Sequence, residues 1–308
     1  MANDALLRYV RPMPDAHRQS DDPFDMLPGM PPWVRLRDVD TLEGMAFVSG
    51  AGLAHLHGVL QMPGLPDALL RDRLALRAAE NCVAFSGRPE RLGDLRDAVH
   101  LLRPGDHPGP AGEICQQWRK ATARPLSVAS LGRALPHMTA EQIAVWLDAG
   151  QGSPPDRAAR VLQTVLAAAP RAEAEALILA DVALAQALRW TYAVPLIGTA
   201  VKPRDLRKTG DELRWACHRA LVVSSCDATR QAADLTRRAQ RLMSVAPKLR
   251  AKGAAQAVKV FLTQDAVAPA GLQSLMSARA ARRLCDRLVA LGVVRELTGR
   301  ATFRFYGV

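Results

Sequence analysis

Aromatic residues are scarce in this chain: 5 % of 308 residues, with three tyrosines and six phenylalanines. A β-sandwich draws on aromatic and β-branched residues for its faces, so the shortage argues against one. No window holds eighteen uninterrupted apolar residues, and no transmembrane helix is expected. Met1 to Asp15 lacks an apolar core followed by a small-residue cleavage site, so no secretory signal is expected either. The five cysteines (Cys82, Cys115, Cys217, Cys226 and Cys285) are odd in number and show no Cys-x-x-Cys spacing. That pattern predicts reduced, mostly packed thiols in a cytoplasmic protein, not a zinc site or a disulfide framework. Period-two alternation is never sustained, and no repeat of fixed period is found.

What is present is helical material. About half the residues are apolar (49 %), and alanine and leucine dominate them. The length exceeds the usual single domain, which predicts a helical body with an appended module. Acidic charge is sparse in one region in particular. Residues 1–199 carry 20 Lys+Arg against 22 Asp+Glu, whereas residues 200–308 carry 21 against 8. A basic excess confined to one third of the chain is the electrostatic footprint of phosphate binding, although a solvated basic face has the same composition.

The first forty residues mix proline, aspartate and methionine without helical period and read as an extended arm. From Thr41, Phe47, Leu53, Leu56 and Leu60 predict a buried helix packed through Gly50 and Gly52. Further amphipathic helices are expected over 69–86, 92–102, 111–123, 140–148, 155–168 and 171–188, each bounded by Pro or Gly. A turn-dense loop spans 103–110, and a second loop is expected over 195–210. Asp211 is positioned to cap a long helix reaching about Ser244, with Leu213, Cys217, Ala220, Ser224, Ala228, Leu235 and Leu242 on its inner face. Its basic end (Arg230, Arg237, Arg238, Arg241) runs into a connector that carries Lys248, Arg250 and Lys252. These three either touch a DNA backbone or are simply solvated.

The final segment, 254–308, has the order of a winged helix-turn-helix: a helix over 254–264, a short helix over 269–275, and a third helix capped by Ser277 and stopped at Gly292. Strands over 293–297 and 302–306 then flank the turn Thr298-Gly299-Arg300. At 100° per residue the third helix separates into two faces. Ala280, Leu284, Leu288 and Leu291 share one arc; Arg279, Arg282, Arg283, Asp286 and Arg287 share another of roughly 140°. Four guanidiniums on one strip repel each other unless an anion lies against them, and a major groove offers phosphates and guanine acceptors that arginine pairs in bidentate fashion. The wing adds Arg295, Arg300 and Arg304, with Arg300 at the tip expected to reach a phosphate or the minor groove.

The run from Ser277 to Gly292, followed by Val293 to Arg300, is similar to the winged helix at the C-terminus of many Fic-type bacterial proteins. More widely, the segments 73–79, 103–112 and 245–253 resemble an uncharacterised bacterial family, a domain of unknown function often encoded on plasmids. That resemblance implies a role in regulating or maintaining a mobile element and brings no established activity. The Fic likeness invites an adenylyltransferase reading, but His107-Pro108-Gly109-Pro110-Ala111-Gly112 lacks the acid, Asn and Arg such a site needs.

Other chemistry finds little support. His55 and His57 lie two apart, so on a helix they point about 200° apart and cannot share a metal. There is no G-x-S-x-G elbow, and Gly50-Ala51-Gly52 lacks both the third glycine and the preceding strand of a dinucleotide loop. Cys217 and His218 are sequence neighbours, not a separated pair. Trp118, Trp146, Trp190 and Trp215 sit in helical contexts that suit core or interface anchors more than stacking platforms for bases. The expectation is therefore a mainly α protein: an arm (1–40), a helical body (41–199), a basic long helix and connector (200–253) and a winged helix-turn-helix (254–308). Its partner is double-stranded DNA, read by Arg279, Arg282, Arg283, Arg287, Arg300 and Arg304 with Lys248, Arg250 and Lys252. No cofactor, metal or membrane is implied, and the body is left for oligomerisation or partner binding. The alternatives are a scaffold whose winged helix docks a protein, and an enzyme with a site near 103–112.

Overall fold

The computed structural model describes residues 28–308 apart from Asp38, Arg103 and Pro104. Most of the expected arm therefore lies outside the described residues, and its described end, 28–40, forms turns and no helix. Among the described residues the chain is mainly helical. The helices are α1 (Leu42–Leu60), α2 (Asp67–Phe85), α3 (Leu92–His100), α4 (Gly109–Thr122), α5 (Val128–Ala134), α6 (Ala140–Asp148), α7 (Pro154–Ala168), α8 (Glu173–Ala187), α9 (Ile197–Ala200), α10 (Gly210–Val245), α11 (Ala254–Phe261) and α12 (Ala278–Ala290). A single antiparallel pair, β1 (Arg295–Glu296) and β2 (Tyr306–Gly307), completes the set. None of these helices is long and apolar enough to cross a membrane.

Local chemistry sets several of the boundaries. Thr41, Ser127, Thr139 and Ser277 each accept a backbone N–H from the first turn of the helix that follows. Thr139 with Gln142, and Ser127 with Ser130, close reciprocal capping boxes. Asp211 differs from expectation: the N-cap is Thr209, two residues earlier, and Asp211 sits in the first turn of α10, paired with Arg214 at 2.7 Å. The helix N-terminus favours the carboxylate there just as it does in a cap.

Packing follows the apolar stripes. The predicted inner face of α10, from Leu213 to Leu242, is buried. This helix runs along α1 and reaches α7 and α9, while α7 lies on α8 and α2 on α4. α8 is buried from Ala176 to Ala185, which fits a helix apolar on all sides. Phe47 is a correction to the α1 face: it is 68 % exposed and stacks on Trp33, with ring centroids 5.8 Å apart. Gly52, by contrast, does lie in close contact, against Ser225 and Val34. Cys82, Cys115, Cys217 and Cys285 are buried, all five cysteines are free, and burial pushes the first four thiols up to about 12.

The expected loop over 195–210 instead contains α9 and a 3-10 turn, Pro203–Arg207. The reason is tertiary. Asp181, fully buried on α8, accepts the backbone N–H groups of Leu196, Ile197 and Gly198 at 2.9–3.1 Å and so caps a helix from outside its own sequence. Burial raises its pKa to about 7, against the pull of those three donors. Trp118 fills the space beside Gly198, where a Cβ would lie 2.4 Å from its ring.

Segment 254–308 is packed against the body: Phe261, Leu272, Leu284, Leu288 and Tyr306 join the same buried cluster as α2, α4 and α8. An ionic joint reinforces the contact. Asp265, 4 % exposed, accepts from Arg73 of α2 at 3.0 Å and from Arg96 of α3 at 2.6 Å. Its backbone N–H donates to Asp72 at 2.9 Å, and Asp72 is held by Arg119 of α4 at 2.7 Å. Burial alone would raise the Asp265 pKa, but the hydrogen bonds and charges of Arg96 and Arg73 outweigh it and hold the carboxyl below the usual range.

Candidate nucleic-acid interface

Helix α12 is positioned by one buried stripe: Ala281, Leu284, Cys285 and Leu288. The expected phase is close but shifted. Leu284 and Leu288 are in the core as predicted, whereas Leu291 is 45 % exposed at the C-cap, where the chain leaves the helix. Arg279, Arg282, Arg283, Asp286 and Arg287 are all exposed on the opposite arc. None of the four arginines forms an ion pair with a described residue, even though Asp286 lies within one turn of three of them.

Sequence spacing alone could not show where the connector runs. Residues 247–251 lie beside the first turns of α12, and between them opens a cleft of about 990 Å³. Lys248 and Arg250 line one wall, and Arg279, Arg283 and Arg287 the other. No acidic residue contributes to it. Five unpaired cations facing one solvent-filled space produce a positive potential that fits a run of phosphates. Arg282 and Lys252 are exposed outside the cleft lining.

Gly253 places the connector. Its φ is +83°, and a Cβ there would lie 2.5 Å from the Leu275 carbonyl oxygen, so the chain passes under the turn that precedes Ser277. Gly253→Ala is expected to destabilise the protein by about 2 kcal/mol or more, from left-handed strain plus a backbone clash. Chemical denaturation measures this, and an unchanged midpoint would mean that the connector is not held against Leu275.

The other expected elements of the segment are shorter than the sequence suggested. α11 ends at Phe261, the second helix is only a 3-10 turn, Pro269–Leu272, and the strands are two residues each. Val267 forms an additional antiparallel bridge with Tyr306, so three chain segments meet at this small sheet. The loop between the strands runs over 297–305, and its exposed aromatic is Phe303, at φ +54° and 69 % exposed. Arg300 is not presented at a free tip. Its guanidinium pairs in bidentate fashion with Asp97 of α3, and the Arg300 Nε donates to the Phe303 carbonyl. Arg304 is exposed, with Nε donating to the Arg300 carbonyl.

The remaining candidates are placed as follows. His55 contacts the Pro28 carbonyl and His57 accepts from Trp190 Nε1 at 2.8 Å, so the two histidines serve different neighbours. Trp118 and Trp190 are buried; Trp146 and Trp215 pack partly buried against the apolar clusters. Gly105 and Gly109 take positive φ, His107 is exposed, and Gly112 is pressed against Pro108 and Ala98.

Fold and surface together define a mainly helical protein with a cleft between residues 247–251 and α12 whose charged lining residues are all cationic. The chain belongs to a family of proteins of unknown function, DUF1403, whose model matches residues 18–308. One family therefore covers the helical body and the C-terminal segment together. No curated protein is significantly similar in sequence.

Proposed function

We propose that this protein binds double-stranded DNA without covalent chemistry, and that its C-terminal segment works as a winged helix-turn-helix. The observation that carries this reading is the cleft formed by Lys248, Arg250, Arg279, Arg283 and Arg287, which has five cations and no acidic lining. In this reading α12 enters the major groove, and the cleft cations hold phosphates along one strand. Arg282, on the exposed arc outside the cleft, is the side chain left to read a base edge. Arg304 reaches the adjacent backbone, and Lys252 adds to the local field. Arg300, engaged by Asp97, serves to hold the wing against the body.

A winged helix used for docking a protein has no need for unpaired arginines on this helix. The test is a fluorescence-anisotropy titration of the full chain against random-sequence duplex DNA at two salt concentrations. Binding that weakens steeply with salt supports the reading, and no binding at low salt overturns it.

A further inference from the structure

The loop between the two strands ends in a run of exposed residues, Ala301-Thr302-Phe303-Arg304, before the chain returns to the core at Phe305. Phe303 is turned to solvent, 69 % exposed, on a φ of +54° that a bulky side chain rarely adopts. Hydrogen bonds hold it there. Arg300 Nε donates to the Phe303 carbonyl at 3.3 Å, and Arg304 Nε donates to the Arg300 carbonyl at 2.9 Å, so the loop closes on itself around 301–303. Arg300 is in turn anchored on Asp97 of α3. The loop thus keeps a strained backbone at a residue whose aromatic ring stays mostly in water, an arrangement that stability alone does not favour.

The surroundings of the ring are cationic. Within 297–305 no residue is acidic, and Arg300 and Arg304 are basic. Glu296, at the base of the loop, accepts the Thr298 hydroxyl at 2.7 Å. The loop also stands beside α12, because β1 packs on that helix. Burial raises the pKa of the Tyr306 phenol, a hydrogen bond with Arg304 opposes the rise, and the charge of Asp286 adds to it. Asp286 belongs to the same exposed arc as the α12 arginines, so the base of the loop and that arc flank one phenol. An exposed aromatic ring set among cations is complementary to a polyanion with apolar faces inside it, which is what stacked bases between two rows of phosphates provide.

We propose that Phe303 is a wedge that enters the minor groove next to the major groove occupied by α12, parts one base step and kinks the duplex. This rests on the DNA reading above. The ring exchanges water for the faces of the bases, while Arg304 beside it meets the phosphate backbone. The closure of the loop through Arg300 and Asp97 orders the ring before binding, so little conformational freedom is lost on insertion.

The experiment uses the full-length chain and a mixed-sequence duplex of about 20 base pairs, roughly 70 Å long, with a donor and an acceptor dye at its two ends. Energy transfer at saturating protein reports the bend, and anisotropy reports affinity across a salt series. The parent should raise the transfer, since a kink of about 20–90° shortens the end-to-end distance. F303A should bind on the order of 10-fold more weakly, the loss of one base–aromatic contact, and should lose most of the rise in transfer. Its salt slope should stay parental, because a phenyl ring displaces no counterions. F303L keeps an apolar wedge and should keep most of the bend. The position is exposed, so both variants should melt with the parent. An F303A protein that bends the duplex as the parent does overturns the wedge, and so does an F303L protein that bends it no more than F303A, since apolar bulk would then not be what acts. A parent chain that binds and leaves the duplex straight also overturns the wedge, with the DNA reading intact. A parent chain that binds no DNA overturns that reading instead.

Discussion

Replacing Asp265 by alanine should cost the protein about 3–5 kcal/mol of stability, the usual price of breaking a buried ion pair from one side. Its carboxylate is the only described acid that faces both Arg73 and Arg96, whose side chains are 16 % and 19 % exposed. Without it, two largely buried guanidiniums lose their counter-charge at the surface where α2 and α3 meet the C-terminal segment. Asp72 cannot substitute, because Arg119 already holds its carboxylate and the Asp265 backbone N–H occupies one of its oxygens. Asp265→Asn keeps an acceptor and should lose less. Denaturant unfolding gives the magnitude, and hydrogen exchange should show protection lost first in 254–308. A D265A protein as stable as the parent would mean that the joint is not what seats this segment.

The same region sets the acid response. His100, which packs on Phe305 with ring centroids 5.4 Å apart, has its pKa pushed down to about 4 by burial and then by Arg119. The unfolded chain therefore takes up this proton near pH 6.5 and the folded chain does not until about pH 4, so stability should fall as pH drops through that window. Asp265 acts later. Its carboxyl is held below the usual range, so its contribution persists above the unfolded carboxylate pKa and is lost only as pH falls through the lower folded value. Unfolding midpoints measured from pH 7.5 to 3 should show the two stages. A flat response between 6.5 and 4, with His100→Phe behaving like the parent, would contradict the first.

The second large effect concerns binding. Changing Lys248, Arg250, Arg279, Arg283 and Arg287 together to glutamine should flatten the salt dependence of DNA binding by about 4–5 units of log–log slope. Affinity at low salt should fall by on the order of 10³-fold or more, since electrostatic contacts supply most non-specific binding. All five side chains are exposed and none pairs with a described residue, so the fold should survive, which separates lost binding from lost structure. Arg282→Gln should behave differently. If it reads a base it should cost about 1–3 kcal/mol on a preferred sequence and relax specificity there, with less change on random DNA. A five-fold variant that binds with the parental slope would remove the cleft from the interface.

Most helices were legible because their apolar residues recur at helical spacing between Pro, Gly and Ser/Thr boundaries; the inner face of α10 and the α6 boundaries are examples. α5 escaped because seven residues with an internal glycine carry too little periodicity, and its Ser127–Ser130 capping box is what holds it. Phe47 misled because a helical period reports a face, not which neighbours reach it. The exposed arc of α12 could be read directly, since Leu284 and Leu288 fix the phase and the arginines fall opposite. Arg237, Arg238 and Arg241 could be read as the basic end of α10, but their approach to Arg295 could not, because no local pattern tells that α10 and β1 come together.

By itself, then, the sequence determined the mainly helical fold, the concentration of positive charge after residue 200 and the two-faced helix α12, all of which follow from composition and short-range periodicity. Only the tertiary structure decided that the connector closes against α12 to make a cleft, that Asp181 caps α9 from another helix, and that Asp97 of α3 engages Arg300. Those outcomes depend on contacts between residues far apart in the chain, where burial and charge pairing act across space and leave no trace in local spacing.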